Sequence, residues 1–202
     1  MKTTRNLKAY LFQPFSFFAG WTSVITGLFI LTVLVVAGFF THTHFDGVLD
    51  VHYGCNEMPA SLSRHLYCVF ISRIIAIAVF YITAVILSSS KIRLIDIAGT
   101  ITTAQWPLLF APLIGFLPGM RFCEGSVNTL NVEAIMIFFR EHLVGLLFGV
   151  LFMLILLIWS VFLMYNAYSV SANIKGGKGI ASFIAALFVA EIISKIALFL
   201  IL

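Results

Sequence analysis

Two apolar runs near the end of the chain restrict its folding more than any other feature. Val144 to Tyr165 contains no charged residue, and Ile180 to Leu202 contains only Glu191 and Lys195. Each run has about twenty residues, and at ~1.5 Å of rise per residue a helix of that length crosses the ~30 Å hydrocarbon core of a bilayer. The stretch between them, Asn166 to Gly179, is polar and glycine-rich, so the pair reads as a membrane hairpin with a basic tip. Ser182, Ala186, Ala190 and Ser194 recur at every fourth position of the second arm, the spacing that lets two membrane helices approach closely. Gly145 and Gly149 offer the same opportunity on the first.

Composition extends this reading to the whole chain. A 61% hydrophobic and 10% charged sequence lies far from soluble domains, in which about a quarter of residues are charged. A formal charge of +4, scattered along the chain, excludes a nucleic-acid interface and suits loops facing anionic headgroups. No linker divides residues 1–202, so one membrane domain is expected.

Leu7, Tyr10 and Leu11 share a helical face, which predicts a short interfacial helix in the segment 1–19, ended by Pro14. The first apolar run is too long for a secretory signal and no cleavage site follows it. Five spans are predicted, over about 20–40, 66–87, 94–117, 144–165 and 180–202. The fold class is therefore an all-α integral membrane bundle. Pro107 and Pro112 should kink the third span. Val132, Ile135, Met136 and Phe139 predict a further short helix capped by Asn131. Lys2, Arg5, Lys8, Lys91, Arg93, Lys175 and Lys178 fall on one side, against Arg64, Arg121 and Arg140 on the other. That bias puts the N-terminus in the cytoplasm and the C-terminus outside.

Three stretches resemble the prokaryotic branch of the Yip-domain (Ypt/Rab-interacting protein) family. They are Phe12-Gln-Pro-Phe-Ser-Phe-Phe, then Ile95-Asp-Ile-Ala-Gly-Thr with Ala104-Gln-Trp-Pro, and Tyr165-Asn-Ala-Tyr-Ser-Val-Ser-Ala-Asn-Ile-Lys-Gly-Gly-Lys. The resemblance covers nearly the whole chain. It implies a five-helix bundle in a prokaryotic cytoplasmic membrane. Small-GTPase binding, associated with eukaryotic relatives through a longer N-terminal region, is not carried over, because only about nineteen residues precede the first span.

Candidate sites lie in the outer loops and inside the bilayer. Thr41-His-Thr-His-Phe-Asp-Gly-Val-Leu-Asp-Val-His holds imidazoles and carboxylates suited to zinc or a similar ion, with His42, His44, Asp50 and His52 as candidate ligands and Asp46 in reserve. A two-residue turn at Asp46-Gly47 would split the pairs between faces, and a three-residue turn would unite them. A solvated polar loop without any cofactor is the competing reading. Cys55 and Cys123 fall in the two outer loops and could pair, leaving Cys68 buried in the second span. Lys175-Gly-Gly-Lys178 lacks the frame of a phosphate-binding loop and reads as a lipid-facing turn.

Charges inside a membrane span seek the bundle interior and a partner. Arg73, Glu191 and Lys195 are expected at compatible depths, forming a cluster that docks span two on span five. Local pairing of Glu191 with Lys195, while Arg73 reaches outward, is the rival. Neither a His-Glu-x-x-His motif nor a Gly-x-Ser-x-Gly elbow occurs. The chain is therefore expected to be a non-enzymatic membrane protein: a scaffold, a partner-binding or a membrane-organising component. Its expected partners are the bilayer and another membrane protein. The alternative is a small transporter or channel with a polar site at Arg73, Glu191 and Lys195.

Overall fold

The computed structural model describes residues 11–54, 61–120 and 132–201. Helix α1 is Trp21–Thr41, α2 is Leu62–Leu87, α3 is Leu94–Thr103, α4 is Ala111–Ile114, α5 is Val132–Ser171 and α6 is Gly176–Ile201. Counting α3 to α4 as one broken span, five segments are long and apolar enough to cross a membrane. The chain is a multi-pass integral membrane protein with an all-α fold. The interfacial helix expected at the start falls mostly outside the described residues. Its end, Leu11 and Phe12, is helical, and Pro14 opens a 3₁₀ turn over Pro14–Ser16.

Several boundaries depart from expectation for local reasons. α2 starts a turn early because the Ser61 hydroxyl accepts the Arg64 amide (3.2 Å) and caps it. The third span does not merely kink. It breaks into α3, a 3₁₀ segment over Trp106–Phe110, and α4, with a proline in the first turn of each of the last two pieces. There a missing N–H costs nothing, whereas mid-helix it would leave a carbonyl without its donor. The separate helix expected at 132–139 is continuous with span four, so α5 runs 40 residues. No proline interrupts that stretch, and its apolar period runs straight into the span. Asn131, the expected cap, lies outside the described residues.

The polar stretch from Asn166 was expected to end span four, yet α5 continues to Ser171. Its polar side chains find partners within the bundle: Asn166 Nδ2 donates to Phe12 O (2.8 Å), Tyr168 Oη to Ser182 Oγ (3.1 Å), and Ser171 Oγ lies 2.9 Å from Thr100 Oγ1. The turn to α6 is made by Asn173 and Gly176, both at positive φ.

The expected hairpin is not packed along its length. α6 leaves α5 after the turn, where Tyr165 and Tyr168 meet Phe183, and then lies along α2. Its row Ser182, Ala186, Ala190 and Ser194 is buried, and α2 buries Ser72, Ala76, Phe80 and Ala84 at the same period. Gly145 and Gly149 serve a different neighbour, admitting Pro118 and Met120 against α5.

The second close interface joins α1 to α3. A Cβ on Gly27 would fall 2.8 Å from Thr102 Cβ, and one on Gly99 would fall 2.7 Å from the Val24 backbone nitrogen. The two backbones are in near contact there, and Thr103 Oγ1 donates to Ser23 O across the gap (2.8 Å). Ser23 and Gly27 are four residues apart, a spacing as legible as the one in span five.

Candidate functional site

The loop between α1 and α2 forms a small ribbon, β1 Thr43–His44 against β2 His52–Tyr53, pairing His44 with His52 and Thr43 with Tyr53. This register leaves 45–51 as the connection and matches neither of the two expected turns. A tight turn at Asp46-Gly47 would lift these residues off the bundle. The longer connection lets Phe45 and Val48 bury themselves in it, at 1% and 0% exposure.

Burying Val48 brings its backbone among charged groups. Arg73, itself 2% exposed, donates through Nη1 to Val48 O (3.1 Å) and through Nη2 to Gly47 O (3.5 Å). Glu191 Oε2 accepts the amides of Val48 (2.7 Å) and Leu49 (2.9 Å). Lys195 pairs with Asp50. The three charges expected within the spans therefore converge on one stretch of this loop, 47–50. The expected contact was direct, with Glu191 between two cations. In the structure a peptide segment intervenes, its carbonyls turned to the guanidinium of α2 and its amides to the carboxylate of α6. Gly47 makes the approach possible, because a Cβ there would fall 2.5 Å from Glu191 Oε1.

The histidines take another arrangement. His44 stacks between His52 (centroids 5.2 Å apart, planes at 15°) and His65 at the head of α2 (4.9 Å, 21°). His52 also faces two carboxylates, with Nε2 3.6 Å from Asp46 and Nδ1 3.8 Å from Asp50. His42 ends α1 in the left-handed region and its carbonyl accepts the Gly54 amide (3.3 Å). Among the described residues no group of three or more His, Cys, Asp or Glu side chains is placed to hold a metal. Cys55 and Cys123 lie outside the described residues, and Cys68 is a buried free thiol.

Electrostatics at the loop follow from these neighbours. The neighbouring His52 imidazole, aided by Lys195 and opposed by burial, holds the Asp50 carboxyl down at about 2. Burial, then the neighbouring His52, lowers His44 below its ordinary 6.5, and burial raises the Tyr53 phenol. Both shifts at Asp50 and His44 mean that the unfolded chain binds protons more readily, so the loop is most stable at neutral pH and loses support on acidification. The His44 contribution fades as the pH falls below 6.5, and the Asp50 contribution as it falls from 3.8 through about 2. Hydrogen exchange over 43–53 is expected to speed up between pH 7 and 5 beyond the intrinsic change, and His44→Phe to remove that increase. Identical acid responses in both chains would contradict the assignment.

The broken third span supplies a second polar locus. Gln105 is fully buried and donates through Nε2 to Met164 Sδ (3.0 Å), leaving Oε1 without a partner. Ser160, one turn from Met164 on α5, is likewise buried with its hydroxyl unpartnered. Of the residues singled out from the sequence, Arg73, Glu191, Lys195, Asp50, His44 and His52 meet at the loop between α1 and α2. Sequence reasoning missed His65, although His65, Cys68 and Ser72 stand at helical spacing on the buried face of α2. It also missed Gly47, Val48 and Leu49, which act through the backbone. No family model, curated protein or solved structure matches this chain.

Proposed function

We propose that the chain is a non-enzymatic membrane protein that works as a scaffold, a partner-binding or a membrane-organising component. The observation that carries this is the engagement of Arg73, Glu191 and Lys195 with the chain's own outer loop. A transported ion or solute needs polar groups that can exchange partners along a path, whereas these are tied to a peptide segment that stiffens one end of the bundle. The resemblance to prokaryotic Yip-domain proteins agrees with this role. Transport is the second reading, favoured by the broken span with its unpartnered Gln105 Oε1 and Ser160 Oγ, since discontinuous helices line the sites of many transporters.

Reconstitution distinguishes them. Purified chain in proteoliposomes is expected to leave ion and small-solute gradients at the rate of empty vesicles. A flux above that baseline, lost in Gln105→Leu while the variant keeps its melting temperature, would establish transport instead. The Lys/Arg bias supports the 172–175 turn inside and the histidine loop outside, and the resemblance a prokaryotic cytoplasmic membrane. An impermeant thiol reagent applied to intact cells carrying cysteine-free chain with one cysteine introduced should label Gly54→Cys, where a side chain meets open space, and not Gly176→Cys. The reverse pattern would invert the topology.

A further inference from the structure

At the end of the bundle opposite the histidine loop, the connections 88–93 and 172–175 meet. Asn173 Nδ2 donates to Ser90 Oγ (2.9 Å), and Lys178 Nζ donates to Leu87 O (2.8 Å). The contacts gather Lys91, Arg93, Lys175 and Lys178, all exposed, around one patch. Only Arg93 faces a carboxylate, Asp96 at 3.6 Å, and among the described residues Lys91 and Lys175 have no acidic partner. The surface over Gly176 and Gly177 is open, with nothing within 4 Å of where a Cβ would stand. Ile86, Leu94 and Ile180 flank the patch on its membrane side and are exposed large apolar residues.

We propose that this patch holds the headgroup phosphate of an anionic phospholipid, with Lys91 and Lys175 as the free cations and Lys178 and Arg93 completing the field. Position and chemistry both select a lipid. The cations stand at the ends of α2, α3 and α6, where the headgroups lie. Each lysine near an anionic surface contributes about 1 kcal/mol, roughly a fivefold change in affinity. The apolar flank below continues the contact along acyl chains, which a free phosphate cannot use. The site joins the second and third spans to the fifth through their headgroup-level ends, and it does so whichever way the chain is oriented.

Native mass spectrometry of the full chain, released from nanodiscs containing equal phosphatidylglycerol and phosphatidylcholine, tests this. Wild-type chain should retain phosphatidylglycerol preferentially. Lys91→Gln with Lys175→Gln should cut the ratio of retained lipids by roughly 25-fold at an unchanged melting temperature in pure phosphatidylcholine. These two side chains make no hydrogen bond within the bundle among the described residues, so loss of fold is not expected. An unchanged ratio, or an equal fall for both lipids, overturns the site. Displacement of phosphatidylglycerol by millimolar inorganic phosphate overturns its assignment to a lipid.

Discussion

Glu191→Ala is expected to destabilise the bundle by about 3 kcal/mol, read from denaturant unfolding in micelles. The carboxylate accepts the amides of Val48 and Leu49, at 2.7 and 2.9 Å, on a loop whose Val48 side chain is wholly buried. Alanine leaves both donors without an acceptor and removes the anion nearest the buried Arg73. Each orphaned donor costs about 1–3 kcal/mol, and stripping one charge from a buried arrangement about 3–5 kcal/mol, but the terms overlap. Water entering from the loop end of the bundle relieves part of the loss, hence the lower total. Glu191→Gln keeps an oxygen where the carboxylate oxygen was, so it should cost only about 1 kcal/mol. Equal losses for Ala and Gln would mean that charge, and not the two amides, is what α6 supplies to the loop.

Gly99→Val should be the most damaging change in the α1–α3 interface, at about 3 kcal/mol, the upper end of overpacking losses. A Cβ there meets backbone: Val24 N at 2.7 Å and Ser23 C at 3.0 Å. Backbone cannot change rotamer, so the helices must separate, weakening the Thr103–Ser23 hydrogen bond as they do. Gly177→Ala provides the contrast, since nothing stands within 4 Å of its Cβ position and it lies in the first turn of α6. It should change stability by no more than about 0.5 kcal/mol. Matching effects at the two glycines would exclude close packing as the cause.

Both sites show what a sequence can announce. The five spans were legible because hydrocarbon demands long apolar helices, and the small-residue row of span five because close approach has a fixed period. Arg73, Glu191 and Lys195 were legible as a group because charges at that depth have few places to go. Their mode of contact was not, because Val48 and Leu49 present amides that any residue but proline carries. The ribbon register was equally hidden, since it is set by where Phe45 and Val48 find burial and not by the Asp46-Gly47 dipeptide. Span four ran past both expected ends for a similar reason: polar residues at 166–171 stop a helix in water, but here tertiary partners accept them.

The unequal lengths of α1 and α5 fix how the molecule rides in its membrane. α1 has 21 residues, about 31 Å of helix, and so matches a hydrocarbon slab with little to spare. α5 has 40 residues, about 60 Å, and even a tilt of ~40° leaves it near 46 Å, well beyond the slab. A thicker or thinner bilayer therefore strains α1 first, at a fraction of a kcal/mol per ångström, while α5 merely slides more or fewer turns into the headgroups. The short helix sets the draught of the vessel, and the long one is its mast.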